Sequence, residues 1–150
     1  MAPPALDLAF IIDTTGSMGD EFRYLQTFQA ALAAQSGYGS GDYEEQMNVG
    51  LRAGNALSWR QGNVARVGFI VADAPPHYQD NGAFLEEVEV TRKRGVHLYP
   101  INASGGDDHA EYVMRAAAHL TLGACSSSPT IPGSATTTRP RTSPASRCST

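Results

Sequence analysis

The chain has 150 residues, of which 41% are apolar, 8% aromatic and 17% charged, with a formal net charge of −4. That length and balance suit one globular domain containing both helices and strands, and no apolar run approaches the roughly 18 residues of a membrane span. An acidic chain lacks the basic face of a duplex nucleic-acid binder. Its N-terminus, which enters an apolar run by Leu8, has no basic segment of a signal peptide.

Residues 6–12 (LDLAFII) are a nearly continuous apolar run ending at Asp13, the pattern of a strand buried on both faces. Residues 15–19 read as a turn with Ser17 as helix N-cap. Over about 19–35, apolar Phe22, Leu25, Phe28 (or Gln29) and Leu32 recur at helical spacing. A glycine-rich loop at 37–42 leads into a second helical stretch at 43–57, with Met47, Leu51 and Gly54 on one side. Residues 64–72 (VARVGFIVA) form the second strand, again followed by an aspartate, Asp73. The rigid turn Ala74, Pro75, Pro76, His77 precedes a helix over about 82–94 that stops at Gly95. Residues 96–101 (VHLYPI) are a third strand, and a loop from Asn102 follows. Asp107 or Asp108 caps a last helix reaching Leu120, with Tyr112, Val113, Ala116, Ala117 and Leu120 expected to face inward.

Beyond Gly123 the composition changes. Of the 27 residues from Ala124 to Thr150, 13 are Ser or Thr and four are Pro, with three Arg and no acid. Such a tract has too little to bury to offset its ordering entropy and is expected to be disordered. The expected domain is therefore 1–123, with a tail at 124–150. Taking the tail's +3 from −4 leaves −7 for the domain, from 8 basic and 15 acidic side chains. Both cysteines, Cys125 and Cys148, fall in the tail, which provides no disulfide framework for the domain.

Alternating strands and helices with apolar strands predict a Rossmann-like α/β fold, mostly parallel, with helices on both faces. In such sheets ligands bind beyond the carboxyl ends of the strands, where two strands here end in Asp. Positions 13, 15 and 17 of the run Asp13, Thr14, Thr15, Gly16, Ser17 place a carboxylate and two hydroxyls in one tight loop. Asp73 adds a second carboxylate from another strand end. These are hard oxygen donors suited to Mg²⁺. The N-terminus of the first expected helix opposes a cation at the same place, so the acidic pair has to outweigh its dipole.

At these residues the chain resembles a von Willebrand factor type A domain, especially bacterial members. The family's metal-ion-dependent adhesion site has the pattern Asp-x-Ser-x-Ser, matched by Asp13, Thr15 and Ser17, and its later strand-end Asp corresponds to Asp73. The resemblance covers about residues 5–123. It implies Mg²⁺ or Mn²⁺ held by Asp13, Thr15, Ser17 and Asp73, with a protein partner's acidic side chain completing the coordination. It also implies a binding module, not an enzyme. The chain departs from the family in three places. The loop at 36–42 has no Thr, leaving Ser40 or Asp42 as substitutes. An internal hairpin after the first helix is missing, and so is the last strand, leaving about three strands.

Two other functional readings follow from the residues. One is a degraded or frameshifted fragment without a stable fold: codons consistent with residues 124–134 can encode an apolar strand and turn in another frame. The other is a phosphate-handling α/β enzyme, although the chain's one lysine, Lys93, is not placed for a phosphate-binding loop. Asp13 and Asp73 also suit simple turn capping, and Thr15 and Ser17 a helix N-cap. His77 lies near the proposed site, whereas His97, His109 and His119 have no metal-ligand spacing. Glu86, Glu87 and Glu89 with Arg92, Lys93 and Arg94 read as a solvated helix face, and Trp59 as a packing residue.

Overall fold

The computed structural model describes residues 5–13, 46–103 and 106–127. Four strands, β1 (Ala5–Ile12), β2 (Val64–Ala72), β3 (Val96–Asn102) and β4 (Ser126–Ser127), form one sheet in the order β1-β2-β3-β4. Every pairing is parallel. Three helices, α1 (Met47–Asn55), α2 (Asn81–Lys93) and α3 (Asp108–Leu120), precede β2, β3 and β4 in turn, and a short 3₁₀ turn, Tyr78–Asp80, leads into α2. The α/β parallel architecture expected from the apolar runs is the one observed.

Residues alternate across a strand, so the register decides which side chains share a face. Ile11, Ile70 and Pro100 form one row, and Ala9, Gly68 and Leu98 the row below. On this face Met47 and Leu51 of α1, Phe84 and Val88 of α2, and Val113, Met114 and Ala117 of α3 pack with Ile70, Ala72 and Leu98. All three described helices thus cover one side. The helix expected over 19–35 lies outside the described residues. On the opposite face Phe10, Phe69 and Tyr99 form an aromatic ladder with centroids 5.2 and 5.8 Å apart. Leu6, Leu8 and Phe10 on that side are each about half exposed.

Helix α3 corrects one expectation. Its buried residues are Ala110, Val113, Met114, Ala117 and Ala118, whereas Tyr112 and Leu120 are exposed. The run Ala116, Ala117, Ala118 offers two neighbouring stripes of equal apolarity, and Met114 selects the one that faces the sheet. Trp59 is half-buried, as a packing residue, and donates its indole N–H to the Gly54 carbonyl at 3.1 Å.

The solvated face expected on α2 is realised only in part. Glu89 pairs with Arg92 at 2.6 Å within the helix. Glu87 instead reaches across to α1, accepting from Arg52 Nε at 2.7 Å and from Asn55 Nδ2 at 3.0 Å. The buried hydroxyl of Thr91 donates to Asn55 Oδ1 at 2.8 Å, completing a polar tie between α1 and α2.

The folded unit continues past Gly123. Cys125 packs against the core, and Ser126 and Ser127 pair with Ile101 and Asn102 of β3. Among the described residues the carboxyl edge thus carries β4 beside the three longer strands. Below this short strand, the edge of β3 is satisfied by a side chain. Leu98 N–H donates to the Thr121 hydroxyl at 3.0 Å, which itself donates to the Ala117 carbonyl at 2.8 Å. His97 Nδ1 lies 2.8 Å from the Thr121 carbonyl, a structural role.

Candidate functional site

The strand ladders run one step past the strands themselves, and this positions the candidate residues. Asp13 N–H still donates to the Val71 carbonyl at 2.9 Å, although β1 ends at Ile12. Ala103 N–H likewise donates to the Ala72 carbonyl at 2.9 Å beyond the end of β3. Asp13 is thereby seated beside Ala72, and Asp73 emerges next from the same strand. The two aspartates leave adjacent strands at the same edge, one residue apart in register.

Burial differs between them. Asp73 is 5% exposed, in a bend whose following residues Ala74, Pro75 and Pro76 are all buried. Asp13 is half-buried. Each has one buried carboxylate oxygen, Oδ2 of Asp13 and Oδ1 of Asp73. Of the residues singled out in the sequence, these two are brought together. Thr15, Ser17, Ser40 and Asp42 lie outside the described residues.

Helices α2 and α3 begin at this same edge. Asp107 caps α3, its carboxylate accepting from Ala110 N–H at 2.8 Å. Asn81 Nδ2, at the start of α2, lies 3.1 Å from Nε2 of His109 in the first turn of α3. The Tyr78 ring packs on His109 with centroids 5.2 Å apart. His109 therefore joins two helix starts, a packing role in line with its lack of metal-ligand spacing.

Two carboxylates on neighbouring strand ends supply hard, anionic oxygens and no nitrogen or sulfur donor, which is chemistry for Mg²⁺ or Mn²⁺. Among the described residues no group of three or more His, Cys, Asp or Glu is placed to hold a metal ion. Two aspartates alone would leave most positions around such an ion to other oxygens. A groove of about 220 Å³ beside β1, lined by residues including Leu6, Leu8, Leu57 and Trp59, lies at the other end of that strand and contains neither aspartate.

Asn102, expected as the start of a loop, is the last residue of β3. It closes an otherwise apolar strand (VHLYPIN) with a polar residue, the same signal that marks Asp13 and Asp73, but it reads equally well as the start of a loop. Among the described residues no helix is long and apolar enough to cross a membrane. Comparison of the sequence with protein-family models and with curated proteins finds no match.

Proposed function

We propose that the chain is a divalent-cation-dependent protein-binding module of the von Willebrand factor A type, without catalytic activity. In this reading Asp13 and Asp73 hold Mg²⁺ or Mn²⁺ together with the hydroxyls of Thr15 and Ser17, and an acidic side chain from a protein partner completes the coordination. The observation that supports it best is the release of two aspartates, each with a buried carboxylate oxygen, from adjacent parallel strands at the carboxyl edge. Two like charges at one edge repel each other, and a bound dication relieves that repulsion.

Calorimetric titration of the full chain with Mg²⁺ and with Mn²⁺ tests the reading. Saturable one-to-one binding is expected, weakened at least about tenfold in Asp13→Ala and in Asp73→Ala. No binding, or binding unchanged in both variants, rejects it. Titration with inorganic phosphate is the control for an anion-binding edge and is expected to show no heat.

A further inference from the structure

We propose that Asn102 is a third strand-end oxygen donor to the same cation. The assignment rests on the reading of Asp13 and Asp73 as its ligands. Three independent features of Asn102 carry it.

The first is its place in the register. Ala72 pairs with Asn102, and the Asp13 N–H bond to Val71 seats Asp13 on the other side of Ala72. Asp13, Ala72 and Asn102 therefore form one row across three strands, with the two polar side chains on the same face. The residue between them carries only a methyl group. With strands about 4.8 Å apart, the outer two Cα atoms stand about 10 Å apart. Asn102 Oδ1 would join the Asp13 carboxylate as an oxygen donor from the same row, a donor type suited to Mg²⁺.

The second is an unsatisfied acceptor. Asn102 is 5% exposed, and its Oδ1 is buried and accepts no hydrogen bond from any described residue. A buried carbonyl oxygen without a donor is a penalty that an arriving cation removes.

The third is how the amide is held. A Cβ on Gly106 would fall 1.8 Å from Asn102 Oδ1 and 2.6 Å from its Cγ, so the backbone at Gly106 lies directly against the amide. Only glycine allows that approach, and the contact restricts the rotamers open to Asn102. A neutral amide also adds an oxygen without a third negative charge. The strand-end carboxylates then match a dication, with Asn102 as the uncharged donor.

The experiment is a Mn²⁺ titration of the full chain followed by calorimetry and by NMR of the asparagine side-chain amides. The assignment predicts that Mn²⁺ broadens the Asn102 Nδ2 resonances at substoichiometric amounts. Asn102→Ala should weaken Mn²⁺ binding about tenfold while leaving the metal-free melting temperature unchanged or raised. Asn102→Asp should tighten Mn²⁺ binding and lower the metal-free melting temperature, which keeps the test valid if the alanine variant folds poorly. Wild-type affinity in Asn102→Ala, with Asp13→Ala still defective, overturns the role of Asn102 alone. Absence of Mn²⁺ binding by the unaltered chain overturns the cation reading and this assignment together.

Discussion

The amide of Asp13 donates to the carbonyl of Val71 at 2.9 Å, one residue beyond the end of β1. That bond extends the sheet long enough to set an aspartate beside the strand from which Asp73 emerges. The polar edge is thus built by backbone pairing, and the apolar strands behind it determine the pairing by fixing which residues face the helices.

The edge of β3 makes a separate prediction. The Thr121 hydroxyl accepts from Leu98 N–H and donates to the Ala117 carbonyl, and all of these groups are buried. Thr121→Val keeps the shape but leaves Leu98 N–H without its acceptor. The expected cost is about 1–3 kcal/mol in denaturant unfolding, and an unchanged midpoint would show that β3 does not depend on this hydroxyl.

The end of α3 gives opposite results at two neighbouring positions. Gly123 N–H donates to the Ala118 carbonyl at 2.8 Å and Leu122 N–H to that of His119 at 3.3 Å, closing the helix around Leu122 at φ 58°. Leu122 is 80% exposed and occupies the left-handed position that glycine prefers. Leu122→Gly should stabilise by about 0.5–1 kcal/mol. Gly123→Ala should be severely destabilising, because a Cβ there falls 1.7 Å from the Leu98 carbonyl oxygen. Thermal melting of the pair checks both signs.

Hydrogen bonds from Arg52, and secondarily from Asn55, hold the Glu87 carboxyl below the ordinary glutamate range. The folded state therefore binds this proton less readily than the unfolded chain. Its contribution is fully present above the ordinary glutamate pKa of about 4.3 and is lost as pH falls through the lower folded value. Melting temperature should decline from about pH 5 downward, with part of the decline absent in Glu87→Gln. A variant that tracks the parent across this range would contradict the tie between α1 and α2.

Much of the fold was legible in the sequence, and the reasons are specific. VARVGFIVA became β2 over all nine residues, because its three valines, isoleucine and phenylalanine favour a strand. Met47, Leu51 and Gly54 on α1 were equally clear from their spacing. Features that depend on contacts between distant segments were less legible. Glu87 looks like any exposed helix glutamate until Arg52 and Asn55 are brought opposite it. Asn55 and Thr91 carry no periodic signal of burial, since each is buried by satisfying the other. Ser126 and Ser127 read as tail because a two-residue strand has no pattern of its own; the register of β3 creates it. Of the candidate site, the two aspartates were visible as polar ends of apolar runs. Asn102 was hidden because its importance lies in sharing a row with Asp13, a relation that only the register reveals.

The central claim is that Asp13 and Asp73 hold one dication between adjacent strand ends. Thermal unfolding of the full chain in excess EDTA and in Mg²⁺ at about one hundred times its dissociation constant measures this most directly. Binding to the folded state alone should add about 2.7 kcal/mol of stability under those conditions and raise the melting temperature by several degrees. The rise should vanish in Asp13→Ala and in Asp73→Ala. Identical melting curves with and without Mg²⁺, or an equal rise in the two variants, would contradict the claim.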